Sequence, residues 1–132
     1  MFCATEGFLI RVADLAPARD FYGRILQLPL LVDTPERLVF HIPDGRIYVE
    51  YDPDATAPAG SGARPILMVE DIDSAVFHFS RCGVRFLSGI ESRGGLWICE
   101  IADPYGNALA VAQSNEVREK KSPGFLRGLK SS

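Results

Sequence analysis

Residues 8–22 and 65–79 repeat one another at a constant offset of 57. Val12 corresponds to Val69, Asp14 to Asp71, Leu15 to Ile72, Ala18 to Ala75 and Tyr22 to Phe79. A repeat on this scale builds two copies of one supersecondary unit, because each copy carries the same apolar face to bury. Each copy opens with an apolar, β-rich run, passes through an Asp and reaches a helix-start signal. Pro17 suits the first helical position, and Asp73 before Ser74 suits an N-cap. Leu15, Ala18, Phe21, Tyr22, Ile25 and Leu26 recur at spacings of three and four, and so do Ile72, Ala75, Val76, Phe79 and Cys82, with Gly83 as a C-terminal stop. Strands are expected at 30–33, 37–42 and 46–52 after the first helix, and at 84–90, 96–102 and 108–113 after the second. Turn formers separate them: Thr34-Pro35-Glu36, Pro43-Asp44-Gly45, Ser92-Arg93-Gly94-Gly95 and Asp103-Pro104-Tyr105-Gly106-Asn107. The order is βαβββ twice, with module one at 7–52, a Pro/Gly/Ala-rich linker at 53–63 and module two at 64–113. Residues 1–113 thus form one domain, followed by a tail at 114–132.

The 132 residues are 47% apolar and 23% charged, a globular composition too hydrophobic for a disordered chain. No stretch approaches eighteen consecutive apolar residues, and the opening lacks the basic and apolar segments of a secretory signal. The expectation is a cytoplasmic protein with no membrane partner. Cys3, Cys82 and Cys99 are an odd set without a CxxC pair, which points to reduced thiols rather than a disulfide framework or a zinc site. Residues 1–113 hold nine arginines, no lysine and fifteen acids, whereas the tail carries Arg118, Lys120, Lys121, Arg127 and Lys130 against Glu116 and Glu119. Five scattered basic residues without a stacking platform do not make a nucleic-acid site. The tail reads as a solvated terminus or as an arm on a partner subunit, with Phe125, Leu126 and Leu129 as its apolar edge.

Three segments together resemble the glyoxalase/bleomycin-resistance/extradiol-dioxygenase superfamily, also called the vicinal oxygen chelate fold. They are Val12-Ala13-Asp14-Leu15 with Ala18-Arg19-Asp20-Phe21-Tyr22, its counterpart Val69-Glu70-Asp71-Ile72-Asp73-Ser74-Ala75, and the closing Asp103-Pro104-Tyr105-Gly106-Asn107. The resemblance spans residues 7–113. It implies an α+β fold in which two βαβββ modules form a curved, eight-stranded mixed β-sheet cup with helices packed outside, and it implies a homodimer. Metal-dependent members set His, Gln or Glu on the first and last strands of their modules, where a divalent ion with open positions polarises a bidentate substrate. Transferred by alignment on Asp14 and Asp71, these positions fall on Gly7 (with Phe8 as neighbour), Arg64 and Ala110, with Glu50 in the fourth strand as the one carboxylate retained. Gly7, Phe8 and Ala110 offer no donor, and a guanidinium repels a cation. No cofactor is therefore expected. The alternative is a divalent metal at a displaced site built from Glu50 and His41, with Glu100 as a third donor.

Strand alternation assigns the cup lining, since residues two apart share a face. Arg11 follows from the first strand, Arg64 and Met68 from the fifth, and Ala110 from the eighth, where Ala108, Ala110 and Ala112 leave volume for a ligand. His41, Tyr48 and Glu50 point inward from the middle strands, because Leu38, Phe40 and Ile42 suit the helix-covered face. Trp97 is ambiguous in face but joins the lining as an aromatic wall beside Tyr48. These eight residues would hold a planar, partly polar small molecule, with Arg11, Arg64 and Glu50 as its polar handles. The expected function is metal-independent binding of a small aromatic or amphipathic ligand. The alternatives are a lyase, isomerase or dioxygenase with displaced metal ligands or acid/base catalysis, and a structural or regulatory homodimer with a vestigial cup. No catalytic residue is assigned: there is no nucleophile elbow or phosphate loop, and Cys99 has no His in a fixed sequence relation.

Overall fold

The computed structural model describes residues 1–56 and 64–115. Most of the linker and nearly all of the basic tail lie outside the described residues. The described residues divide into two compact units, the first including residues 1–56 and 103–107, the second residues 64–102 and 108–115.

In the first unit, β1 (Gly7–Val12) leads into a helical turn, α1 (Ala16–Ala18), which continues as a π-helix over Arg19–Ile25. Asp14 Oδ1 accepts from Ala16 N at 3.1 Å, and Pro17 sits in the first turn. The widened helix, with Leu26 N bonded to the Phe21 carbonyl at 2.9 Å, buries two consecutive aromatics. Phe21 and Tyr22 meet edge to face, and Tyr22 lies 5.8 Å from the Phe40 ring. Strands β2 (Leu30–Asp33), β3 (Arg37–Ile42) and β4 (Gly45–Tyr51) follow, and the sheet order is β1-β4-β3-β2. β1 runs parallel to β4; the other pairs are antiparallel. Leu38, Phe40, Ile47 and Val49 are buried on the face that meets the helix.

In the second unit, β5 (Ile66–Met68) precedes α2 (Ile72–Arg81), and the sheet is completed by β6 (Arg85–Phe86), β7 (Glu91–Arg93), β8 (Leu96–Ala102) and β9 (Ala108–Ser114). The order is β5-β9-β8-β6, with β7 also on β8, and β5 runs parallel to β9 as β1 does to β4. The segment expected as one strand over 84–90 is instead β6 and β7. Between Phe86, opposite Ile101, and Glu91, opposite Ile98, residues 87–90 face only residues 99–100, so the edge strand loops out at Ser88-Gly89. Such irregularities are common on edge strands, where pairing is needed on one side only. The helix cap also differs from expectation. Asp71, not Asp73, is the N-cap, its carboxylate accepting from Asp73 N and Ser74 N and from the Ser74 hydroxyl. Gly83, at φ +75°, ends α2 as expected.

Among the described residues, each unit contains one buried polar clasp. Asp103, 5% exposed, accepts from Tyr105 N, Asn107 N, Asn107 Nδ2 and, at 2.7 Å, the Tyr22 hydroxyl. The phenol is held protonated, its pKa pushed far up by burial and then by the carboxylate's charge, so it acts only as donor. Gln113, 3% exposed, accepts the Ile72 N–H at 2.7 Å and satisfies a donor at the start of α2.

Candidate ligand-binding site

Cross-strand partners share a face, and the register therefore shows which side chains meet. On the first sheet, away from the helix, Arg11 and Arg37 both lie opposite Glu50, Leu9 and Val39 opposite Tyr48, and Gly7 and His41 opposite Arg46. Of the expected lining, Arg11, His41, Tyr48 and Glu50 thus occupy one face. The Arg37 guanidinium lies 3.6 Å from the Glu50 carboxylate.

The side chain that organises this face is one the sequence did not single out. Glu6 Oε2 accepts from the Tyr48 hydroxyl at 2.8 Å and from Arg46 Nη1 at 2.6 Å. These two donors, the phenol first, hold the Glu6 carboxyl below the usual glutamate range. Two glycines make the approach possible. A Cβ on Gly7, whose φ is +147°, would stand 1.8 Å from the Arg46 carbonyl oxygen, and one on Gly45 would stand 2.7 Å from the Glu6 carbonyl oxygen. Arg46 N donates to that Glu6 oxygen at 2.9 Å and fixes the backbone just before β1. Arg46 was within reach of sequence reasoning, since it alternates with Tyr48 and Glu50, as was Arg37, which alternates with Val39 and His41. Glu6 carried no such signal, because it precedes the strand.

A cleft of about 520 Å³ adjoins this face, lined by residues 9–14, Ala55, Thr56, Pro104, Tyr105 and Asn107. Its size is that of a small-molecule pocket. Tyr105 donates to the Asp14 carbonyl at 2.6 Å, and burial, together with the Asp103 and Asp14 charges, pushes its phenol up to about 12. Arg11 contributes an exposed cation to the cleft.

On the second sheet, Ile66 and Glu100 lie opposite Ala110, and Met68 and Ile98 opposite Ala112. Arg64 approaches Glu100 at 3.8 Å. Arg64, Met68 and Ala110 therefore gather here, Met68 at 56% exposure. Trp97 requires correction as a lining residue: it lies opposite Gln113, on the face that receives α2, because residues 96, 98 and 100 take the other side. The expectation of open volume along the alanines also changes, as Ala110 and Ala112 are buried with Ile98 in a cluster against which Leu96 packs. Cys99 is buried and its thiol is pushed up by desolvation, which disfavours the nucleophilic thiolate.

The residues at the family's metal positions do not fit a divalent ion. Gly7 has no room for a side chain, and Arg64 brings a guanidinium to Glu100. The residues of the displaced alternative are not brought together within the first sheet. His41 pairs with Arg46 while Glu50 pairs with Arg37, four residues further along the strand, a separation of about 13 Å at the usual strand rise. Among the described residues, no group of three or more His, Cys, Asp or Glu side chains could hold a metal.

The model of the Glyoxalase/Bleomycin resistance protein/Dioxygenase superfamily matches residues 6–111. The chain belongs to this superfamily. Solved structures agree. TnmS3, an antibiotic binding protein from Streptomyces sp. CB03234, is 23% identical at a TM-score of 0.71, over 86% of this chain and 97% of its own. A glyoxalase/bleomycin resistance protein/dioxygenase from Alicyclobacillus acidocaldarius is 17% identical at 0.70, over 85% and 92%. The lactoylglutathione lyase of Agrobacterium tumefaciens is 18% identical at 0.67, over 83% and 92%. These likenesses carry the fold alone. No curated protein matches. Among the described residues of this superfamily member, no helix is long and apolar enough to cross a membrane.

Proposed function

We propose that this superfamily member binds a small aromatic or amphipathic molecule with an anionic group, without a metal ion. The observation that carries the reading is the open face of the first sheet, where Tyr48 and three guanidiniums, Arg11, Arg37 and Arg46, stand beside exposed Leu9 and the adjoining cleft. Planar anions are held by phenol and guanidinium donors, and their apolar bodies by aromatic and aliphatic surface. The absence of donors at Gly7 and Ala110 favours binding over the metal-assisted chemistry of a lyase or dioxygenase. TnmS3 is an antibiotic binding protein, in keeping with this class of function. The proposal includes the homodimer and the cytoplasmic location expected from the sequence; light scattering of the purified chain checks the first, and fractionation the second.

Calorimetric titration with 2-naphthoate, once in EDTA and once in chelator-free buffer to which zinc or magnesium is added, is the test. Saturable binding that added zinc or magnesium leaves unchanged, and that Arg11→Ala weakens, is expected. Binding or turnover that appears only with a stoichiometric divalent ion would overturn the proposal. The burial of Ala110 and Ala112 favours one second reading, a structural or regulatory protein with a filled interior. In that case no aromatic anion or neutral aromatic binds.

A further inference from the structure

We propose that Tyr48 and Arg46 form a carboxylate-binding site which the chain's own Glu6 occupies as an internal stand-in, so that an aromatic carboxylate binds by displacing Glu6. The inference rests on the binding function proposed above and names the group recognised and the residue that regulates access to it. The site holds a carboxylate in the structure: one oxygen of Glu6 receives the Tyr48 hydroxyl at 2.8 Å and the Arg46 guanidinium at 2.6 Å. A neutral phenol and a guanidinium converging on one oxygen are a charge-assisted recognition pair.

Magnitude decides whether such a latch can open. The side chains of Glu6 and Arg46 are 60% and 48% exposed, so their ion pair is of the surface kind that contributes little. The backbone contact beneath it, Arg46 N to the Glu6 carbonyl, needs no side chain and persists when the carboxylate swings away. An incoming carboxylate regains the same two donors and adds contact of its ring with the exposed Leu9 side chain, which lies opposite Tyr48. The exchange therefore favours a ligand with both a carboxylate and an apolar body. A free carboxylate without that body gains nothing over Glu6.

The experiment compares 2-naphthoate, 2-naphthamide and acetate by calorimetry on the full chain, Glu6→Ala, and Glu6→Ala combined with Tyr48→Phe or Arg46→Met. Circular dichroism verifies that each variant folds. Glu6→Ala is expected to bind 2-naphthoate about two- to fivefold more tightly, the scale of a surface ion pair removed from competition, with 2-naphthamide, a neutral acceptor, gaining less. Either second substitution abolishes the gain, and acetate binds the full chain no better than background. If both naphthalene probes bind the full chain but Glu6→Ala alters neither, or alters both equally, the latch is overturned and the binding function stands. If neither probe binds any variant, the binding function falls and the latch with it.

Discussion

The two sheets are built by the same rules and present different chemistry. In each, the first strand of the module runs parallel to the last, a helix covers one face, and one buried polar side chain clasps the assembly: Asp103 in the first unit, Gln113 in the second. The opposite faces diverge. The first carries Arg11, Arg37, His41, Arg46, Tyr48 and Glu50 around Leu9 and Val39; the second carries Ile66, Met68, Ile98, Ala110 and Ala112, with the Arg64–Glu100 pair as its charged element. The repeat survives in the strand and helix that open each module, because those bury the core. It is lost on the faces turned from the helices, where packing against the module's own helix does not decide the side chain. One face became a set of polar handles, the other an apolar surface.

The largest effect expected from breaking this comparison is at its glycines. Gly7→Ala drives a Cβ into the Arg46 carbonyl and should cost about 3–4 kcal/mol in chemical denaturation, with loss of the Glu6 latch. Gly83→Ala, at φ +75° with nothing within 4 Å of the added carbon, should cost only the left-handed strain of about 1–2 kcal/mol. Equal costs would mean that the backbone approach at Gly7 relaxes freely and does not fix the polar face. The clasps come next. Tyr22→Phe leaves Asp103 with its three other donors and should destabilise by about 2 kcal/mol, the scale of a buried hydrogen bond to a charged group. Gln113→Ala strands the Ile72 N–H and should cost about 1–3 kcal/mol. Asp71→Ala removes the α2 cap and should cost about 1 kcal/mol. A clasp whose removal costs nothing would show that its unit is held by apolar packing alone.

The repeat made the fold legible, since hydrophobic spacing marks helices and alternation marks strands. Leu38, Phe40, Ile47 and Val49 lie buried where the period of two puts them. Three features escaped for physical reasons. The π-helix over Arg19–Ile25 keeps a helix-like apolar pattern, so spacing does not separate it from an α-helix. Asp71 and Asp73 both satisfy the composition of an N-cap, and only geometry chooses between them. Trp97 is ambiguous in face from its sequence and its aromatic character argues for the lining; only the register opposite Gln113 puts it, with Cys99 and Ile101, on the α2 side. Of the polar face, the shared side of Arg11, His41, Tyr48 and Glu50 was readable from alternation. Glu6 was not, because its partners arrive forty residues later through a register no local pattern encodes.

The smallest effect is the most specific to the polar face. The Glu6 carboxyl is held low because Tyr48 and Arg46 bind its charged form. A depressed carboxyl contributes stability that is complete above the ordinary glutamate range and is lost as the pH falls through its lowered value. The direction is therefore acid weakening of the first unit, small because the pair faces solvent. Carbon-13 NMR of the Glu6 carboxyl should show titration below that of a glutamate in an unfolded peptide, with Tyr48→Phe and Arg46→Met each raising it. Titration in the ordinary range would mean that Glu6, Tyr48 and Arg46 are solvated neighbours rather than an array. The first face would then be a charged surface like any other, and the contrast with the apolar face would lose its functional meaning.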